Sequence, residues 1–380
     1  MPTHTVMRHT SSELMISSTT TATRASGDWA DRDPDPVIKV VDLAWLEFDK
    51  PTLATAERFA IDFGFVIASR TETTLDLRGA RAGTACVKLR IGRPSRFTGL
   101  AFAAASVSDL DRLAAANVTT VAPLLDGGFE VVLRDPSGIT VRVVAGVPVL
   151  PALDGQAPLR WNIGQDVHRA NATQRAPREP ARVERLGHVV LESPVVQRCF
   201  DWYLHQLGLI VSDFMYFDGQ RERGPIMAFI RCDRGAIPTD HHTLAIVIGP
   251  TAGYVHSAYQ VADLDAIAAG GEYLKAHGYR HAWGIGRHVE GSQIFDYWRD
   301  PDQLLFEHFA DGDMFDSSMI AGWTPMRASG LSQWGPPVTA DFLDAKPTPR
   351  KVGQVIRALR DRSNELDLAR MRGLLKVVSS

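Results

Sequence analysis

Hydrophobic and polar positions change period several times along the chain, and those changes predict its elements. Residues 38–48 alternate apolar and polar in the manner of a strand, whose successive side chains turn to opposite faces. Residues 51–63 carry the spacing of an amphipathic helix opened by Pro51-Thr52. Short strand-like runs follow at 66–68, 74–77 and 84–91. A strand over 99–107 leads into a helix started by Ser108-Asp109, and a hairpin of 128–133 and 139–144 turns through Asp135-Pro-Ser-Gly138. The same order then returns. It comprises a strand from Leu186, a helix over 193–207, strands at 241–249 and 254–261, and a helix from Ala262 to His277. A glycine-punctuated loop, Gly284-Ile-Gly-Arg-His288, precedes a closing hairpin of 294–298 and 304–309 around Asp300-Pro-Asp-Gln303.

The two passes superpose by motif. Ser106-Val-Ser-Asp-Leu-Asp111 matches Gln260-Val-Ala-Asp-Leu-Asp265, and Arg134-Asp-Pro136 matches Arg299-Asp-Pro301. Self-similarity on this scale predicts a duplicated βαβββ unit and an α+β fold. The divisions expected are a flexible arm over 1–35, a first repeat domain over 36–147 and a linker over 148–182. A second domain over 183–312 follows, then a tail over 313–380 made of an extended segment and a basic, partly amphipathic helix over 350–378.

The second pass differs from the first in its polar residues. By the motif match, His188 stands where the first half has Leu43, His256 where it has Phe102, and Glu307 where it has Arg142. Core packing would accept an apolar residue in both halves, so the substitution of three potential ligands in one half points to chemistry there. Glu307 shares a strand face with Leu305 and Phe309, and a carboxylate on an inward face is costly unless something compensates it. With a three-residue loop at 301–303, Tyr297 falls directly across from Glu307. Two imidazoles and one carboxylate from separate strands form the facial triad that leaves open positions on non-haem Fe(II). His242, His288 and Tyr297 are expected around that open face as proton-handling and substrate-binding groups. Of the pair His241-His242, only His242 is expected to line the pocket. His205, His277, His281 and His308 read as structural.

Composition narrows the partners. An apolar content of 45% and a charged content of 22% are those of a soluble globular protein. The formal net charge of -3 offers no footprint for nucleic acid or an anionic membrane, and no apolar run reaches a spanning length. Cys86, Cys199 and Cys232 are too dispersed for a disulfide framework or a thiolate zinc site, and a cytoplasmic location is expected.

The second half resembles the type I extradiol catechol dioxygenases of the vicinal oxygen chelate superfamily. The resemblance rests on Leu186-Gly-His188, Asp240-His-His242-Thr-Leu-Ala, Val255-His256-Ser-Ala-Tyr-Gln-Val, Gly286-Arg-His288 and Phe295-Asp-Tyr297 followed by Glu307. It implies two tandem domains, each of paired βαβββ modules forming an incomplete barrel. It also implies that His188, His256 and Glu307 hold Fe(II), with Mn(II) accepted by the same donors. A substituted catechol and O2 would be the substrates, with His242 as acid–base residue and His288 and Tyr297 on the substrate's oxygens. Phe214, Met215, Tyr216, Met227 and Phe229 suggest an apolar wall for an alkyl or aryl substituent. The arm and tail point to a homo-oligomer. One departure is Gln303, which stands where the first half has Gly138 in its hairpin turn. Competing readings are a metal-dependent isomerase or lyase of the glyoxalase kind and a metal-free module that sequesters an aromatic.

Overall fold

The computed structural model describes residues 29–379. For residues 1–28 the expected flexible arm lies outside the described residues. Residues 29–35 are packed on the second half: the Val211 amide donates to the Asp31 carbonyl at 2.7 Å, and His205 meets Asp33 at 2.8 Å.

The first half runs β1 (Val40–Lys50), α1 (Leu53–Phe63), β2 (Val66–Arg70), β3 (Thr74–Arg78), β4 (Val87–Ile91), β5 (Arg96–Ala104), α2 (Val107–Ala116), β6 (Ala122–Pro123), β7 (Phe129–Arg134) and β8 (Thr140–Ala145). The second runs β9 (Arg185–Ser193), α3 (Val196–Leu207), β10 (Leu209–Tyr216), β11 (Met227–Cys232), β12 (Thr239–Asp240), β13 (Leu244–Ile248), β14 (Gly253–Gln260), α4 (Leu264–Ala276), β15 (Arg280–His288), β16 (Ile294–Arg299) and β17 (Leu305–Ala310). In the tail come β18 (Met314–Phe315), β19 (Gly322–Pro325), β20 (Ser332–Trp334), α5 (Pro349–Arg360) and α6 (Leu368–Ser379).

Each half forms one open sheet. The order β2-β3-β4-β1-β5-β8-β7-β6 in the first is matched by β10-β11-β13-β9-β14-β17-β16-β15 in the second, extended at its two ends by β19 and β20. In both, the leading strands of the two modules pair antiparallel, β1 with β5 and β9 with β14. Each of those strands also pairs in parallel with the last strand of its own module. Neither sheet closes on itself. The architecture is α+β, four βαβββ modules in two incomplete barrels.

The halves share a core. The Phe306 ring on β17 meets Phe59 and Phe63 of α1, Phe48 of β1 and Tyr259 of β14, and His308 bonds the Phe63 carbonyl at 2.7 Å. Both faces of β17 are therefore covered, one by the first half and one by its own barrel. This is why all six of its residues are buried. A second lock joins Lys50, at the end of β1, to Asp300 in the β16–β17 turn, an ion pair with both side chains almost fully buried.

Four expectations change in detail. The segment read as a glycine loop before His288 is strand β15, bent by register shifts at Gly284 and Gly286. The expected strand at 241–249 begins at Leu244. The single basic helix is two helices, because Asp361 accepts from the Ser363 amide (2.9 Å) and hydroxyl in a local turn that competes with helix. The fourth concerns Gln303, which adopts the left-handed conformation (φ 70°) that Gly138 adopts in the first half (φ 89°), so the turn forms without a glycine.

Candidate metal centre

Three neighbouring strands supply the central groups. His188 on β9 pairs with Ala258 on β14, and Ala258 pairs with Glu307 on β17. Side chains at adjacent positions of a sheet share a face, so this register brings His188, His256 and Glu307 together inside the second barrel. The Nε2 atoms of His256 and His188 lie 3.3 and 3.4 Å from Glu307 Oε2. One ligand atom from each residue falls within 4.8 Å of the others. Gly187 is required beside His188, since a Cβ there would lie 2.3 Å from the Phe309 ring that packs against the imidazole.

Glu307 is 0% exposed, yet neither of its carboxylate oxygens has a properly formed hydrogen bond, and Nδ1 of His188 and His256 is likewise buried without a partner. Burial pushes the Glu307 carboxyl up, but the imidazoles of His188 and His256 outweigh it and hold the group well below the usual carboxylate range. Such a set is expensive in an apolar wall unless a cation sits among the donors. Two imidazole nitrogens and one carboxylate oxygen leave half of an octahedral shell open, a donor set suited to Fe(II) or Mn(II).

The other three residues stand around this group. Tyr297 on β16 lies opposite Glu307, as a three-residue turn requires. His288 ends β15, 4.0 Å from Glu307 Oε1. Its Nδ1 lies 2.9 Å from the Leu331 carbonyl, which can only accept, so Nδ1 carries the hydrogen. Its Nε2 is then bare and accepts from the Tyr297 hydroxyl at 2.9 Å. Burial pushes His288 down to about 4 and drives Tyr297 well above its ordinary value, with the Glu307 charge adding to the latter. The His242 ring packs against that of His188 with centroids 3.9 Å apart and a tilt of 41°. Burial first, then the neighbouring imidazoles, hold it well below the usual range, so it is neutral. His241 turns away from the cavity but bonds the His242 ring, Nδ1 to Nδ1, at 3.0 Å.

Five of the six residues line one cavity of about 450 Å³, and the sixth, Glu307, is fully buried against His188 and His256. Met215, Met227 and Phe229 form part of its wall. Phe214 lies beneath that wall against Trp323, with centroids 4.6 Å apart, and Tyr216 faces Trp323 from further off. A second hollow of about 470 Å³, where the linker crosses α1 and α4, contains no histidine. The tail contributes Met326, Leu331, Phe342 and Leu374 to the first cavity, and Leu331 also orients His288. From the sequence the tail is a candidate for the pocket, with an extended stretch around Trp334 packing on the domain, and that stretch pairs as β20 with β15. The Leu331 carbonyl as partner of His288 has no sequence signal.

The motif-based match between the halves also needs correction. Ala258 pairs with both His188 and Glu307, and its counterpart Ala101 pairs with both Trp45 and Arg142. The counterpart of His188 is therefore Trp45, not Leu43. His256 lies across from Val190, the counterpart of Glu47, and Glu47 faces Gly99, so Gly99 replaces Phe102. Arg142 remains opposite in sign to Glu307. The slip at Phe102 arose at the helix starts. In the first half Ser106 is the N-cap and Asp109 completes a capping box, whereas in the second Asp263 is itself the N-cap. Matching Asp109 to Asp263 shifts the register by about one helical turn.

Residues 185–308 match the profile of the Glyoxalase/Bleomycin resistance protein/Dioxygenase superfamily. The chain is 32% identical over 298 residues to metapyrocatechase 2 of Cupriavidus necator, covering 77% of this chain and 88% of that protein. Its fold is similar to that of a Mn(II)-bound glyoxalase from Novosphingobium aromaticivorans, with TM-score 0.66, 24% identity, and coverage of 82% of this chain and 95% of that one. A variant of homoprotocatechuate 2,3-dioxygenase from B. fuscum superposes equally well, with TM-score 0.66, 18% identity, and 82% of each chain covered. With the duplicated βαβββ sheets and the extent of the match to a metapyrocatechase, the chain belongs to the extradiol catechol dioxygenases of the vicinal oxygen chelate superfamily.

Proposed function

We propose that the chain is an Fe(II)-dependent extradiol dioxygenase that opens the ring of a substituted catechol beside its two hydroxyls. The observation that carries this reading is the fully buried Glu307, whose oxygens lack hydrogen bonds while His188 and His256 present Nε2 atoms to it. These three residues would hold the metal, and Mn(II) fits the same donors. When bound, the metal would supply adjacent open positions for both catechol oxygens and for O2, and a positive charge favouring the deprotonated diol.

The chain's own residues supply the proton chemistry. Tyr297 and His288 form a hydrogen-bonded pair that accepts a proton from one substrate hydroxyl: the bare Nε2 of neutral His288 is the base and Tyr297 the relay. His242, packed on the His188 ring, is a second proton-handling group on the cavity wall. The apolar wall of Met215, Met227 and Phe229 excludes water and suits an alkyl or aryl substituent. The Mn(II)-bound glyoxalase shares the fold, but the ring of His242, His288 and Tyr297 is better suited to a diol that must lose protons.

The test is anaerobic reconstitution with Fe(II), then exposure to a panel of substituted catechols with O2 uptake and visible absorbance recorded together. Equimolar O2 consumption with a yellow ring-opened product is expected. Metal bound without turnover on any catechol would move the substrate class elsewhere, and a chain that binds no metal would end the reading.

A further inference from the structure

His242 is not isolated on its outer side. His241 Nδ1 lies 3.0 Å from His242 Nδ1, and His241 Nε2 lies 2.7 Å from Asp213 Oδ2. The three groups form a line from the cavity wall to a carboxylate with a side-chain exposure of 16%.

The fold builds this line deliberately. β10 carries a register shift between Val211 and Asp213. Such a bulge re-aims side chains, and here both Ser212 and Asp213 reach His241: the Ser212 hydroxyl donates to its carbonyl at 2.5 Å. The His241 amide donates to the Asp313 carbonyl at 2.9 Å. Rings of Phe229 and Phe315 flank the imidazole. Gly291, with φ at +80°, leaves room for it, since a Cβ there would lie 2.9 Å from its Nδ1. The Glu290 carboxylate, held by the Thr324 hydroxyl at 2.7 Å, adds negative charge to the Asp213 side.

With His241 neutral, hydrogen-bond logic assigns both rings. A carboxylate accepts and does not donate, so His241 Nε2 carries the hydrogen and its Nδ1 is an acceptor in the neutral ring. His242 Nδ1 must supply the hydrogen between them. Only His242 Nε2 is left for the cavity, and it is bare. We propose that Asp213 and His241 are positioning residues that hold His242 in the tautomer whose Nε2 faces the substrate as a base. The role given to His242 rests on the proposed ring cleavage, but its tautomer does not.

The tautomer can be read in the metal-free full-length chain by two-bond proton–nitrogen correlation spectra of 15N-histidine-labelled protein, with His242→Gln assigning the ring. His242 is expected to carry its hydrogen on Nδ1, to become mixed in Asp213→Asn, and to return to Nδ1 in Asp213→Glu. In the reconstituted enzyme, Asp213→Asn is expected to lower kcat by about 10²-fold with KM nearly unchanged, and Asp213→Glu to restore most of it. A native His242 carrying its hydrogen on Nε2 would overturn the proposal. That is the state required if a divalent cation sat among Asp213, His241 and Glu290 with His241 Nε2 as a ligand. An Asp213→Asn spectrum identical to the native one would overturn it equally. The expected spectrum from a chain inactive on catechols would remove the proposed function and leave the tautomer assignment standing.

Discussion

The two halves place opposite chemistry at the same sheet positions. In the second, His188, His256 and Glu307 face one another with their donors unsatisfied. In the first, the matching residues are Trp45, Gly99 and Arg142. The Arg142 guanidinium lies 2.8 Å from Glu47 and 2.7 Å from Glu130, and the Trp45 indole donates to Glu47 at 3.0 Å. The first half thus has its carboxylates paired by a cation that belongs to the chain. The second leaves a gap that a foreign cation would fill. One backbone duplicated twice serves both purposes because its register aims the side chains inward whatever their charge.

The hairpin turns repeat the contrast. Asp135 and Asp300 each accept two backbone amides of their own turn. Each then uses its second oxygen on the opposite half, Asp135 toward the neutral Tyr203 hydroxyl and Asp300 toward the Lys50 ammonium. The neutral partner lies under the first barrel's turn and the charged one under the turn that aims Glu307.

The largest effect is expected at the gap itself. Glu307→Ala should eliminate stoichiometric Fe(II) or Mn(II), measured by elemental analysis after reconstitution. The stabilisation that metal confers, about 4 kcal/mol when free metal is 1,000 times the dissociation constant, should go with it. A variant that keeps one metal per chain would remove Glu307 from the ligand set.

Next come the turn partners. Lys50→Met strands Asp300 as a buried charge and should cost about 3–5 kcal/mol in denaturant unfolding. Tyr203→Phe removes a hydrogen bond and should cost about 1 kcal/mol. Equal losses at the two positions would end the distinction between them. Smaller again, Arg142→Met should destabilise by about 1–2 kcal/mol, because Glu47 and Glu130 then repel each other, while metal content stays unchanged. The smallest effect is expected at the turn itself. Gln303→Gly relieves a left-handed residue and should stabilise by up to about 1 kcal/mol, partly offset by loss of its 2.9 Å bond from Arg280.

Several features were legible because they are local or periodic. The alternation of strands, the helices, the repeat and the Tyr297–Glu307 pairing all follow from side-chain period and turn length. Other features were not. The match of Phe102 to His256 failed because a short Asp-Leu-Asp motif does different capping work in the two halves, and that of Leu43 to His188 failed by two residues in the leading strand. The break between α5 and α6 depends on one Asx turn. Leu331 as the partner of His288 depends on a carbonyl, and a carbonyl carries no sequence signature.

The sequence by itself determined the fold class, the duplication and which half carries unsatisfied donors, because these depend on period and on the identity of single residues. The tertiary structure decided which residues face one another across the sheets, what the tail covers, and how Asp213 reaches His242 through His241. Those contacts join residues far apart in the chain, and a bulge, a glycine clearance or a backbone carbonyl sets them. Their geometry exists only once the sheets have curved and the two halves have packed.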